Sequence, residues 1–168
     1  MSIKKTAFFL VGNYGVGKST LIYDEVISQA GIFIETMKNV YVIGKSIIGA
    51  DSLSSLSKDD VMRDLINNKD KNIVIAGNYY AATKDVKILF PHFKCVIIYL
   101  KTPFKDNAKR IKMRGNTINI ETYNQKLKGH FSLMKNCKSL AKIYIVDNSR
   151  SKQQVKSEYL KIIANEKG

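Results

Sequence analysis

At 168 residues, 45% of them hydrophobic and 25% charged, the chain suffices for one domain that buries a core without disulfide or metal staples. No apolar run nears the length of a membrane span, and Met1-Ser2-Ile3-Lys4-Lys5 leads into an apolar stretch with no cleavage-site pattern; membrane and secreted classes are set aside, and a soluble, cytoplasmic protein is expected. Lysine and arginine number 28 against 14 acidic residues, a net charge of +14; such a surface favours polyanionic partners, nucleic acid first, unless the lysines only solubilise.

The first predicted strand, Ala7-Phe8-Phe9-Leu10-Val11, opens directly into Gly12-Asn13-Tyr14-Gly15-Val16-Gly17-Lys18-Ser19. Every fixed position of G-x-x-x-x-G-K-[ST] is filled, and a helical pattern follows (Leu21, Ile22, Glu25, Val26, Gln29), the context a phosphate-binding P-loop requires. The glycines let successive backbone N–H groups turn inward on phosphate oxygens, while the helix beginning near Lys18 aims its positive end at the same place. Lys18 is suited to the β- and γ-phosphates of ATP and Ser19 to Mg²⁺. The nucleotide-binding set read here is Gly12, Asn13, Tyr14, Gly15, Val16, Gly17, Lys18, Ser19 and Thr20.

A second strand is predicted at Val40-Tyr41-Val42-Ile43, and Gly44-Lys45-Ser46-Ile47-Ile48-Gly49-Ala50-Asp51 is expected to leave it at its carboxyl end, where ligands of open α/β sheets collect. Asp51 is therefore a candidate base that accepts a hydroxyl proton in line with the γ-phosphate, or else an aspartate that caps a turn before Ser52. An amphipathic helix follows over about 58–68, with Val61, Met62, Leu65 and Ile66 on one face. The third strand, Asn72-Ile73-Val74-Ile75-Ala76, closes on Gly77-Asn78 with no carboxylate. Either Asp51 serves the metal as well or Asn78 makes a neutral contact, and the lack of a Walker-B acid favours phosphoryl transfer to an alcohol over hydrolysis. Tyr79 and Tyr80 come next, either as a base-stacking pair or as core and rim tyrosines.

The fourth strand, Cys95-Val96-Ile97-Ile98-Tyr99-Leu100, is a continuous apolar run of the kind that a parallel strand covered on both faces needs. Helical patterns follow at about 103–114 and 122–139, then a fifth strand, Ile143-Tyr144-Ile145-Val146, and a final helix over about 152–165. The predicted architecture is one α/β domain, residues 1–168, with a five-stranded parallel sheet, helices on both faces and a lid over about 104–120.

Arg110 and Arg114 sit at i,i+4 on one helical face before the break at Gly115-Asn116. They read as lid arginines over the γ-phosphate or as a solvated basic face. Asn148, within Asp147-Asn148-Ser149 after the fifth strand, either cups the adenine or makes an ordinary turn. Residues 101–150 hold 12 basic side chains against 3 acidic, +9 of the net +14. Cys95 and Cys137 read as buried free thiols. His92 reads as a turn residue, and His130 as a structural or phosphate-touching one.

These features together resemble the P-loop kinases of small metabolites and nucleotides: the P-loop, Asp51, Thr102-Pro103 after the fourth strand, and Arg110-Ile111-Lys112-Met113-Arg114-Gly115 as lid. More narrowly, the pattern Gly44, Gly49-Ala50-Asp51-Ser52-Leu53, and Arg114-Gly115-Asn116 running on to Asn124 and Lys126, resemble the bacteriophage 5-hydroxymethyluridine DNA kinases. That resemblance implies phosphorylation, with ATP and Mg²⁺, of a 5-hydroxymethyl group on a pyrimidine within DNA. Asp51 would be the base and a metal contact beside Ser19, Lys18, Arg110 and Arg114 would clamp the phosphates, and lysines over 101–142 would track DNA. Ala76 stands where that group tends to carry an acid. The residues themselves leave open a kinase of free nucleosides, nucleotides or another small hydroxyl compound, a DNA 5′-end kinase, or a nucleotide-gated nucleic-acid binding module.

Overall fold

The strands β1 (Thr6–Gly12), β2 (Gly31–Glu35), β3 (Asn39–Val42), β4 (Lys45–Ile48), β5 (Asn72–Ala76), β6 (Lys94–Lys101) and β7 (Ala141–Asp147) form one sheet in the order β4-β3-β2-β5-β1-β6-β7. The computed structural model describes residues 4–12, 31–35, 39–42, 45–48, 58–76, 81–113, 115 and 117–168. Five helices lie among the described residues: α1 (Lys58–Asn67), α2 (Thr83–Leu89), α3 (Phe104–Met113), α4 (Ile120–Asn136) and α5 (Lys152–Glu166).

All seven residues of β1 and the six interior residues of β6 are buried, because both lie inside a parallel sheet covered on each face. Alternation then divides the side chains between two cores. Ala7, Phe9 and Val11 join Ile73, Ile75, Cys95, Ile97 and Tyr99 under α1, α2 and α4, which contribute Leu65, Leu89 and Leu133 among others. Phe8 and Leu10 join Val74, Val96, Ile98 and Leu100 under α5, which supplies Val155, Tyr159, Ile162 and Ile163.

Helix ends follow local chemistry. Asn119 caps α4 by accepting from the Thr122 N–H, and Ser151 and Gln154 form a capping box at α5. Beyond α3, Gly115 adopts φ +81°, a left-handed conformation open to glycine without strain, and its N–H donates to Lys112 O. Cys95 and Cys137 are buried free thiols, and burial pushes the Cys95 thiol up to about 12.

Four of the five predicted strands lie parallel, as β1, β5, β6 and β7. The fifth expectation is corrected: residues 40–43 overlap β3, which runs antiparallel to β2 and pairs in turn with antiparallel β4. The parallel neighbour of β5 is instead β2, Gly31–Glu35. Among the described residues the sheet thus has seven strands rather than the expected five, and α2 is an additional helix. The lid expected over 104–120 contains α3 and the start of α4.

At the amino edge of the sheet the C-terminal helix is tied down. Glu166, 5% exposed, accepts from Lys94 Nζ at 2.5 Å, Lys142 Nζ at 2.6 Å and the Tyr144 hydroxyl, while Thr6 Oγ1 donates to its backbone carbonyl at 2.6 Å. Hydrogen bonds from Lys142, Lys94 and Tyr144 hold its carboxyl down at about 2, against 4.5 ordinarily. A depressed carboxyl contributes stability that is complete above its unfolded value and is lost as pH falls through the folded one. Stability should thus decline from about pH 5 to about pH 2, and Glu166→Gln should cost about 2 kcal/mol at neutral pH. Urea unfolding of both proteins across that range tests this; a variant with unchanged midpoint and the same acid profile would contradict it.

Candidate nucleotide and acceptor site

The strand registers define which residues share the carboxyl edge. Gly12 pairs with Leu100, Lys101 with Asp147, and both Leu10 and Glu35 with Ala76. The chain leaving Gly12 therefore enters the P-loop sequence at the middle of this edge, flanked by the exits of β5 and β6. Asn13, Tyr14, Gly15, Val16, Gly17, Lys18, Ser19, Thr20, Asp51, Asn78, Tyr79, Tyr80 and Arg114 lie outside the described residues.

The β6 and β7 exits are built as one polar unit. Asn148 (4% exposed) donates its N–H to Lys101 O at 2.9 Å and its Nδ2 to Thr102 Oγ1 (2% exposed) at 2.9 Å. Thr102 O accepts from the Tyr123 hydroxyl at 2.7 Å, and the Tyr123 ring meets Phe104 edge-on at 5.3 Å between centroids. Arg110, half-buried on α3, reaches Asn148 O with Nη2 at 3.4 Å. Burial raises the Tyr123 hydroxyl's pKa, which keeps it a donor. Thus α3, the start of α4 and the β7 exit are fastened together beside Gly12.

Arg110 and Asn148, predicted from separate parts of the sequence, meet here, and Asn148 spends its amide on Thr102. Asp147 makes an Asx turn, accepting from Ser149 N–H at 2.9 Å and Ser149 Oγ at 2.6 Å, which lowers its carboxyl pKa. His130 is 6% exposed and packs 5.4 Å from the Tyr99 ring centroid, a core placement.

The register also reveals a carboxylate that sequence reasoning missed. Glu35 ends β2 level with Ala76, two strand spacings, about 10 Å, from β1. The strand predicted to present Asp51, residues 40–43, reaches the opposite edge, since β3 is antiparallel. It is β4 that returns the chain to the carboxyl edge at Ile48, four spacings or about 19 Å from β1. The signal for Glu35 was a short apolar run, Gly31-Ile32-Phe33-Ile34, closed by an acid.

Among the described residues there is no cluster of three or more histidine, cysteine or acidic side chains that would cage a metal. Mg²⁺ needs none, since it keeps much of its water and takes one or two protein oxygens besides substrate phosphates. Glu35, which the register sets at this edge, is a residue of the oxygen-donor type that Mg²⁺ takes.

Asn148→Ala should lower stability by about 1–2 kcal/mol by leaving buried Thr102 without its donor. It should also raise KM for ATP more than it lowers kcat if this unit shapes the nucleotide cleft. Thermal unfolding and steady-state kinetics test the two parts; KM unchanged would limit Asn148 to structure.

No family profile and no curated protein matches the chain in sequence. Solved structures do match in fold. A gluconokinase from Sinorhizobium meliloti superposes with a TM-score of 0.59 at 13% identity, over 98% of this chain and 94% of that one. Shikimate kinase from Acinetobacter baumannii, solved with shikimate, gives 0.55 at 18% identity over 98% and 94%. Deoxyadenosine kinase from M. mycoides, with products bound, gives 0.58 at 13% identity over 95% and 99%. The chain thus has the α/β fold of P-loop kinases across nearly its whole length.

Proposed function

We propose that the protein is an ATP-dependent kinase that phosphorylates a hydroxyl group on DNA, foremost the 5-hydroxymethyl group of a modified pyrimidine such as 5-hydroxymethyluridine. The observation that carries the kinase reading is the exit of β1 at Gly12 into a complete G-x-x-x-x-G-K-S sequence, at the carboxyl edge of a sheet in which β1 lies between parallel β5 and β6. Lys18 and the P-loop amides would hold the triphosphate, and Ser19 with a carboxylate would hold Mg²⁺. Arg110, beside Asn148, offers a planar cation to the nucleotide, and Arg114 would close on the phosphates with the lid.

The acceptor oxygen attacks Pγ, the bond from Pγ to the β–γ bridging oxygen breaks, and ADP leaves. The hydroxyl proton passes to a carboxylate, Asp51 or Glu35. Mg²⁺, held by Ser19 and a carboxylate, would supply charge neutralisation to the phosphates.

The DNA acceptor is supported by the sequence likeness to hydroxymethyluridine DNA kinases and by the charge of residues 101–150, 12 basic against 3 acidic. A base held in a duplex must be flipped out, wholly or in part, to meet a recessed γ-phosphate. A second reading, a kinase of free nucleosides or another small hydroxyl compound, is favoured by the fold neighbours, whose names are those of gluconate, shikimate and deoxyadenosine kinases.

Incubation with γ-labelled ATP and Mg²⁺ separates these readings when thymine or 5-hydroxymethyluracil duplexes, free nucleosides and 5′-hydroxyl oligonucleotides are offered together. Label on the internal hydroxymethylated base is the expected result. Label confined to free nucleosides or 5′ ends overturns the DNA-base acceptor, and none anywhere, with ATP still bound, leaves a nucleotide-gated binding module.

A further inference from the structure

On the DNA-acceptor reading above, we propose that the outward face of α4 is the docking surface for a single DNA strand, with Phe131 as the base-stacking platform and Lys128 and Lys135 as phosphate contacts.

Three observations converge on this face. At 100° a residue, Asn124, Lys128, Phe131 and Lys135 project within about 60° of one another, and all four are exposed. Phe131 is 50% exposed although it lies in the interior of a 17-residue helix. Its ring centroid stands 6.2 Å from that of Tyr99, which is 2% exposed; the phenyl group is propped from below and open above. An aromatic between lysines three residues before and four after is the pairing that single-strand binders use, a π-face for the base and a cation for each flanking phosphate.

The charge around it has one sign. From Thr122 to Val146 the sequence contains no carboxylate and five lysines; of these, Lys142 is engaged by Glu166. A purely anionic partner such as an acidic peptide would use the lysines and leave the Phe131 ring uncovered, whereas a nucleic-acid strand engages both.

Position favours a substrate strand. α4 begins at the carboxyl edge, where Tyr123 donates to Thr102 O, and Phe131 lies eight residues on, about 12 Å along the helix axis. Tyr99, beneath Phe131, pairs with Val11, one residue before the P-loop sequence. Beside the stripe, a cavity of about 520 Å³ separates α4 from the start of α2, lined by Gln125, Lys126, Gly129, Ser132 and Thr83. This lies within the range of about 300–1,000 Å³ for small-molecule sites, so a base turned out of the strand has room between the platform and the start of α2.

The test compares the full-length protein with Phe131→Ala and with the double change Lys128→Glu, Lys135→Glu. Anisotropy of a fluorescent oligothymidylate at several salt concentrations is read alongside ATP affinity, melting temperature and transfer to hydroxymethylated DNA. Phe131→Ala should weaken strand binding about 5- to 100-fold. The charge reversal should weaken it at least tenfold and flatten the slope of log K against log salt by about 1.4. ATP affinity and melting temperature should hold in both. Binding of polyglutamate should fall with the lysines and ignore Phe131. Strand binding unchanged in the variants, or absent from the parent protein, overturns the docking surface even where hydroxymethylated DNA is phosphorylated. Binding that depends on α4 without any transfer to DNA upholds the surface and overturns the DNA acceptor instead.

Discussion

Lys18→Ala is expected to lower the rate of γ-phosphoryl transfer by about 10²–10³-fold, with a smaller loss in ATP affinity. The inequality follows from where charge develops. In the ground state several backbone N–H groups of a P-loop share the phosphates, so removing one ammonium group leaves most of the cradle. In the transition state charge shifts toward the β–γ bridging oxygen, where a lysine at this position of the motif reaches, and an interaction stronger there than in the ground state appears in kcat. The scaffold should tolerate the change. β1 is fixed by parallel pairing to β5 and β6 up to Gly12, and its core residues lie before the loop. Single-turnover transfer from γ-labelled ATP gives the chemical step, and a fluorescent ATP analogue gives affinity. Equal losses in both would mean that Lys18 serves binding alone; an unchanged rate would remove the P-loop from the reaction.

How much of this was legible in the sequence depended on whether a signal was local. β1, β5 and β6 were readable because a parallel strand buried on both faces must be a continuous apolar run, and Phe8, Phe9, Val74, Ile97 and Ile98 have no other use. The G-x-x-x-x-G-K-S pattern stands out in the sequence because a phosphate-binding loop restricts residue type within eight positions. β2 was not readable, because five residues bounded by Gly31 and Glu35 compete with the equally apolar run at 40–43, and only pairing with β5 settles which strand lies parallel. α2, at seven residues, spans two turns and is too short for periodicity to register. The network of Thr102, Asn148 and Tyr123 joins residues 21 and 46 positions apart. Nothing in the spacing of a threonine, an asparagine and a tyrosine announces such contacts, although Asn148 and Arg110 were each picked out on other grounds.

The same difference between local and distant information bears on the catalytic carboxylate, and here the expected result departs from the sequence reading. Glu35→Gln should lower kcat by about 10²–10⁴-fold, the usual worth of a general base, while Asp51→Asn should act mainly on KM for the acceptor. Glu35 ends a strand two spacings from β1, whereas the chain bound for Asp51 leaves β4 at Ile48, four spacings away. Three residues of fully extended chain span at most about 10 Å, roughly half of the 19 Å that separates β4 from β1. A base must come within hydrogen-bond reach of the acceptor hydroxyl, itself in line with the γ-phosphate, so if the phosphates lie near the exit of β1 each ångström of lateral offset counts against it. An effect of Asp51→Asn on KM alone would mean a contact with a more distant part of the acceptor, where a carboxylate raises affinity without touching the proton in flight. Both substitutions preserve size and remove charge, so differences in kcat at saturating acceptor, read with pH profiles of each variant, separate the roles. Should Asp51→Asn abolish turnover and Glu35→Gln leave it intact, the chain between Ile48 and Asp51 must cross toward β1, and the base returns to Asp51.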